Sequence, residues 1–267
     1  MIATHPPLRA HDRAPDGVRV PSQLPLRLWL GYWRFLQRYH RYTVDGLEHL
    51  DGPRAALIVG YHGRPFAYDM CMLTVALHDR LGYLPHGIVH RGMKDIPLLR
   101  WLVDELGFLT GDGDDIARAV ARGEHIQTAP GGAREGCRGF RDRYRVSWGQ
   151  GVGYLRLALR HDLAIVPVAA AGADDAYLGL NDADWLGRRL GLPRDWTWLP
   201  WLGLGPLGPY PLSPPFPVRM RQLVGAPIDP RGDGDIALDD REGLLRLHER
   251  VQRAVQDLLD RARGCAS

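Results

Sequence analysis

Residues 55–69 read AALIVGYHGRPFAYD. The run from Ala55 to Gly60 is wholly apolar, short, and bounded by Pro53 and by the Gly63–Pro65 loop. Without polar alternation, such a run is the pattern of a strand buried on both faces, as in a covered parallel sheet. From about Asp69 to Arg80 the pattern turns helical. The stretch therefore reads as strand, loop and helix, with a histidine directly after the strand.

The same grammar repeats on either side. Leu163 to Ala169 (LAIVPVA) is a second buried strand, and Glu124–Thr128 and Gly87–His90 are shorter ones. Phe108–Thr110 is a brief strand. Helices are expected at Pro97–Leu106, Asp114–Arg122, Trp148–His161 and about Asp240–Ala262. The last carries Leu244, Leu247, Val251, Val255 and Leu258 on one stripe. Val218–Val224 alternates with Arg219 and Arg221 and reads as an edge strand. Strands alternating with helices predict a single α/β domain with a mixed, mostly parallel sheet flanked by helices. No linker divides it, and no internal repeat occurs.

The 267 residues are 45% apolar and 24% charged, enough for a real core. Thirty-four basic against 31 acidic residues leave a net charge of +3, too small for a dedicated nucleic-acid binder. Lys94 is the only lysine, so arginine richness alone says little about phosphate binding. Cys71, Cys137 and Cys265 form no C-x-x-C, which argues against a disulfide framework or a cysteine zinc site. None of the four serines lies in a G-x-S-x-G elbow. His86 and His90 share a strand face with no acidic residue between them, so no metal site is expected.

Residues 1–22 read as a disordered lead-in; Met1–Gly17 has no apolar core and is no signal peptide. Residues 23–42 form an amphipathic helix. On its wheel Arg27, Arg34, Arg38 and Arg41 share an arc, with Leu28, Trp29, Tyr32, Trp33, Leu36 and Tyr39 opposite. A basic, aromatic helix of this kind suits an anionic membrane interface. The competing reading is a surface helix covering the core. Trp196–Val218 has no charge but holds seven prolines, so it reads as an apolar loop rather than a membrane span.

Two loops carry the chemistry. In the first, His62 follows a rigid strand and Asp69 starts a helix. Such a pair can orient a histidine as general base toward a hydroxyl. In the second, Thr128–Gly136 (TAPGGAREG), exposed N–H groups and Arg134 make a phosphate seat. The bland readings are a surface histidine with a helix cap, and a tight turn with a solvated arginine.

Together these blocks resemble the phospholipid/glycerol acyltransferase family, which includes the lysophosphatidic acid acyltransferases. That family carries His-x4-Asp after its first core strand, then an FPEGTR-like block, then a VPV-like strand. Here His62 to Asp69, Ala129 to Arg134 (APGGAR) and Ile165 to Ala169 (IVPVA) follow in that order, and Gly225–Ile228 is similar to the family's late G-x-P-I. The likeness covers roughly residues 40–230 and places the acyltransferase domain at 43–262. PGGAREG looks most like the branch of the second type of diacylglycerol acyltransferases and their transmembrane relatives. The interval between His62 and Asp69 is six residues rather than four, Gly131 stands where the family has glutamate, and the arginine expected near Gly107–Asp112 is absent.

The resemblance implies an O-acyltransferase moving a fatty acyl group from acyl-CoA or acyl-ACP to a glycerolipid hydroxyl. His62 and Asp69 would be catalytic, and Arg64, Gly131, Gly132, Arg134 and Glu135 would bind substrate. No metal and no further cofactor is expected. Membrane lipids and the acyl donor would be the partners, at the cytoplasmic face of a bacterial inner membrane. The missing arginine suits a neutral acceptor such as mono- or diacylglycerol. A non-catalytic lipid-binding protein on the same scaffold and an acyl-thioester hydrolase are the alternatives.

Overall fold

The computed structural model describes residues 21–264 except Phe66, His90, Ile96, Gly111, Asp112 and Asp233. The expected lead-in, apart from Pro21 and Ser22, lies outside the described residues, as do His90 and Cys265. The chain opens with α1 (Gln23–Tyr39), β1 (Thr43–Asp45), β2 (Ala56–Gly60), α2 (Tyr68–Leu81) and β3 (His86–Gly87). It continues through α3 (Pro97–Glu105), α4 (Asp114–Ala121), β4 (Ile126–Thr128), α5 (Gly132–Gly136), α6 (Gly153–Arg160) and β5 (Ala164–Ala171). The last part holds β6 (Leu178–Gly179), α7 (Ala183–Arg189), β7 (Gly203–Gly205), β8 (Gly208–Pro209), β9 (Arg221–Val224) and α8 (Arg241–Gly264).

The main sheet has the order β1-β9-β5-β2-β4-β3. β2 lies between β4 and β5, parallel to both, and β5 pairs antiparallel with β9. This is the mixed, mostly parallel, single-domain α/β architecture expected. Leu57, Ile58 and Val59 are fully buried, as a central strand covered on both faces requires. The stripe of α8 (Leu244, Leu247, Val251, Val255, Leu258) is buried in the core that also takes Ile165 and Ala169 of β5. Because β2, β4 and β5 run the same way, the loops after all three leave from one edge of the sheet. Those loops hold His62, the Gly131–Glu135 stretch and Asp174.

Four local expectations change. β9 is interior, because β1 pairs parallel on its far side. Its arginine Arg221 reaches Asp45 of β1 at 2.8 Å. The helix expected from Trp148 starts only at Gly153, since Gly149 adopts a left-handed φ of +65° and Val152 caps the turn. PGGAREG is not all loop but contains the short helix α5. The proline-rich stretch supplies β7 and β8 to a three-stranded sheet with β6. Its glycines and prolines hide that pairing from any hydropathy pattern.

α1 divides its apolar arc. Leu30, Trp33 and Leu36 turn inward against Tyr68, Met72 and Val75 of α2. The Trp29 indole N–H donates to Thr74 Oγ1 at 2.9 Å, and Gln37 Nε2 donates to the Met72 carbonyl at 2.9 Å. Leu24, Leu28, Tyr32 and Phe35, by contrast, are 64%, 59%, 52% and 62% exposed. They form a second stripe beside exposed Arg27 and Arg38. The core-covering reading thus accounts for one face of this helix and not for the other.

Truncating Ile58 to alanine leaves a cavity in the middle strand. Such changes cost about 2–5 kcal/mol. Urea unfolding of Ile58→Ala is expected to show a lower midpoint with an unchanged slope.

Candidate active site

His62 lies two positions beyond the end of β2 and is half-buried. Its main-chain N–H donates to Glu135 Oε2 at 2.9 Å. Its Nδ1 is buried and has no hydrogen-bond partner among the described residues. Burial, reinforced by the Arg138 guanidinium, lowers its pKa to about 4. The ring is therefore a neutral base over the working pH range, able to accept a proton from a hydroxyl.

Asp69 sits in the first turn of α2, fully buried. The longer interval folds back on itself: Ala67 takes a left-handed φ of +50°, and its N–H donates to the Gly63 carbonyl at 2.9 Å. This returns Asp69 to the residue after the histidine, where Oδ1 accepts the Gly63 N–H at 3.1 Å. Asp69 does not hydrogen-bond the His62 ring. Its Oδ2 is buried and unpartnered, as is His62 Nδ1. Burial raises the Asp69 pKa to about 8. The two groups the sequence joined as an oriented pair are thus brought to one loop, each held by main-chain contacts, with two complementary atoms unused.

The expected substrate contacts separate into two sets. Arg64 is completely buried. Its Nη1 donates to the carbonyls of Asp174 and Tyr177 at 3.1 and 3.4 Å, and its Nη2 to that of Gly139 at 2.6 Å. It fastens the loop after β2 to the segments after β5 and α5, so it is a structural clamp. Glu135 is also buried, with both oxygens engaged inside the protein. Its expected role as a substrate contact gives way for the same reason. Gly132 has its N–H committed to the Ala129 carbonyl at 3.0 Å, and Gly131 packs beside the Glu135 carboxylate. That leaves a poor seat for an anion. Arg134 alone of this group is exposed, within electrostatic range of Asp184 on α7.

Three residues that sequence reasoning missed complete the site's support. Asp174, just past β5, accepts the Tyr144 N–H at 2.6 Å and the Tyr61 hydroxyl. Arg138 lies 3.3 Å from both Asp174 carboxylate oxygens, donates to Tyr61 Oη, and stacks 4.6 Å from the centre of the Tyr61 ring. Its Nη1 also donates to the Arg145 carbonyl at 2.8 Å. The available signals were weak: an aspartate just beyond a buried strand, and a tyrosine between a strand and a histidine. His86, the other histidine considered, hydrogen-bonds Glu124 at 2.7 Å and the Gly107 carbonyl at 3.0 Å, a structural role. Among the described residues no group of three or more His, Cys, Asp or Glu is arranged to hold a metal.

A covered sheet with a neutral histidine at the carboxyl edge of its central strand defines an α/β enzyme-type site. The same fold occurs in the crystal structure of the 1-acyl-sn-glycerophosphate (LPA) acyltransferase PlsC from Thermotoga maritima, with a TM-score of 0.51 and 16% identity over 87% of this chain and 79% of that one. Residues 41–171, which hold His62, Asp69 and the Gly131–Glu135 stretch, match the model of the Acyltransferase family. Over these residues, which carry the site, the chain is similar to the acyltransferase family.

An uncharacterized protein of Mycobacterium tuberculosis (strain H37Rv) is 31% identical over 85% of this chain and 63% of its own length. The human "DGAT1/2-independent enzyme synthesizing storage lipids" is 27% identical over 84% of this chain and 62% of its own. Phytyl ester synthase 2 of Arabidopsis thaliana is 24% identical over 82% of this chain and 34% of its own. The chain thus spans about three-fifths of the length of the first of these relatives.

The depressed His62 pKa has a sign. Between pH 6.5 and about 4 the unfolded chain binds a proton at this position that the folded chain refuses. Stability from His62 is thus present above pH 6.5 and lost as pH falls through that window. NMR titration of the His62 ring is expected to give a midpoint near 4, and His62→Gln should lose less stability than wild type between pH 7 and pH 5.

Proposed function

We propose that the chain is an O-acyltransferase that transfers a fatty acyl group from an acyl thioester, acyl-CoA or acyl-ACP, to the hydroxyl of a glycerolipid. The neutral His62 ring at the carboxyl edge of β2, within the span that matches the family, carries this reading. His62 Nε2 takes the proton of the acceptor hydroxyl as its oxygen attacks the thioester carbonyl. The C–O ester bond forms and the C–S bond breaks. The imidazolium then returns the proton to the departing thiolate. Burial opposes that imidazolium, and Asp69, with its unpartnered Oδ2 and a pKa raised by burial to about 8, is the nearby group whose ionised form offsets it. No covalent enzyme intermediate is needed.

A neutral acceptor, mono- or diacylglycerol, suits this site best. Arg64 is used inside the fold, Gly131 lies beside a carboxylate, the Gly132 N–H is taken by the Ala129 carbonyl, and the stretch Gly107–Thr110 offers no arginine. The names of the human and plant relatives, a storage-lipid enzyme and an ester synthase, agree with that choice. Arg134 remains as the exposed cation for the donor's phosphates.

The acceptor is a lipid, and the chain would meet it at a bilayer surface, attached from one side. No helix of the described residues is long and apolar enough to cross a membrane. The outward stripe of α1, Leu24, Leu28, Tyr32 and Phe35, beside Arg27 and Arg38, is the apolar-and-basic face that an anionic interface attracts. The stripe continues toward the proline-rich segment, where Tyr39 Oη donates to the Pro215 carbonyl at 2.8 Å and Leu212 is exposed.

Radiolabelled palmitoyl-CoA, offered with glycerol 3-phosphate, lysophosphatidic acid, other lysophospholipids, monoacylglycerol and diacylglycerol, tests the reaction. A labelled lipid product is expected with the neutral acceptors, reduced at least a hundredfold in His62→Ala. Wild-type turnover in that variant overturns the mechanism. Labelled free fatty acid at a rate independent of acceptor identifies a hydrolase instead, and bound lipid without turnover with either acyl-CoA or acyl-ACP identifies a lipid-binding protein.

Flotation with phosphatidylglycerol vesicles tests the surface. The variant Leu24→Ser/Leu28→Ser/Phe35→Ser leaves the inward face of α1 intact, whereas removing the helix would uncover Tyr68 and Met72. It is expected to stay at the bottom of the gradient while wild type floats. Equal flotation assigns the attachment to another surface.

A further inference from the structure

Transfer at His62 depends on where its imidazole is aimed, and we infer that Glu135 sets that aim: it is a positioning residue, with Gly131 and Gly136 leaving the space in which it works. The inference rests on the His62 reading and deepens it.

Glu135 binds three separate donors. Oε2 accepts the His62 N–H at 2.9 Å and the Trp148 indole N–H at 3.2 Å, while Oε1 accepts the Ser147 N–H at 2.7 Å. Arg138 Nη1 stands 3.8 Å from Oε1. An ionised carboxylate is an acceptor only, which is what three converging N–H groups require. The His62 main chain lies beyond the pairings of β2, which end at Val59 on the β4 side and at Gly60 on the β5 side, where the Tyr61 N–H still donates to the Val168 carbonyl at 3.3 Å. It is therefore tied to the 147–148 segment through this side chain rather than through the sheet.

The two glycines have steric reasons. A Cβ on Gly131 would lie 2.3 Å from Glu135 Oε2 and 2.6 Å from its Cδ. Gly131 has a φ of −68°, so its backbone tolerates alanine and only the collision opposes it. A Cβ on Gly136 would lie 2.6 Å from His62 Nδ1 and 2.8 Å from the Pro65 carbonyl oxygen. The α5 backbone is thus pressed against the imidazole while the neighbouring carboxylate holds the imidazole's own main chain. The PGGAREG stretch, whose glycines suggest a phosphate seat, acts here as the mould of the His62 loop.

Glu135→Gln keeps the shape but turns an N–H2 group toward one of the three donors. Gly131→Ala keeps Glu135 and displaces its carboxylate, so it carries the test independently if the glutamine variant does not fold. Each is compared with wild type and His62→Ala, using palmitoyl-CoA and dioleoylglycerol for turnover and the His62 backbone amide 1H–15N signal for geometry. Both variants are expected to lose at least tenfold in kcat with KM within twofold, and to shift the His62 amide signal while the Val255 amide of α8 stays in place. Wild-type kcat in either folded variant, with His62→Ala inactive, overturns the positioning role. So does a raised KM at unchanged kcat, which would make Glu135 a substrate contact. Full activity in His62→Ala removes the His62 reading itself; the amide shift, which needs no turnover, keeps that failure distinct from a failure of the Glu135 contact.

Discussion

The carboxylate of Asp174 is fully buried, and the site is assembled around the need to pair it. An uncompensated charge in a protein interior is very costly, so it persists only when enclosed by donors. Here the donors are the Tyr144 main chain, the Tyr61 hydroxyl and the Arg138 guanidinium. They come from the loop after β2, the segment after α5, and the stretch that leads toward α6. The Asp174 carbonyl adds Arg64, the second buried cation. One ionic cluster therefore pins together the loops that leave the same edge of the sheet. Removing one member would leave another charge stranded, which typically costs about 3–5 kcal/mol.

That cluster also determines the charge state around the histidine. Burial and Arg138 oppose protonation of His62, while burial, helped by the Asp174 carboxylate, pushes Asp69 and Glu135 up, to about 8 and about 7. A general base needs a free lone pair rather than a charge, and a neutral ring at the edge of an apolar core supplies it. Arg27, Arg38 and Arg134 are exposed at the exterior. Charges inside the site are thus matched, and those outside remain available to lipid and donor phosphates.

Much of the fold was legible because burial on two faces leaves a plain mark. AALIVG and LAIVPVA could hardly be anything but central strands, and the α8 stripe could face only a core. The reading failed where pattern carries no sign of partner. Val218–Val224, with its alternating arginines, looked like an edge strand; only the return of β1 to its far side makes β9 interior. Likewise the apolar arc of α1 is one feature on a wheel and two in space, since α2 covers Trp33 and Leu36 and nothing described covers Leu28 and Phe35.

By itself the sequence determined the α/β class, the order of its blocks, their likeness to an acyltransferase family, and the histidine that follows the first buried strand. These are local or periodic properties, written in neighbouring residues. Only the tertiary structure decided what the polar residues of those blocks touch. Arg64 and Glu135 have the chemistry of ligand contacts, but Arg64 reaches Gly139, Asp174 and Tyr177, 75 to 113 positions away, and Glu135 reaches back 73 positions to His62 as well as forward to Ser147 and Trp148. A charged side chain acts on whatever the fold brings within about 3 Å of it, and that neighbour is set by the packing of strands far apart in the chain.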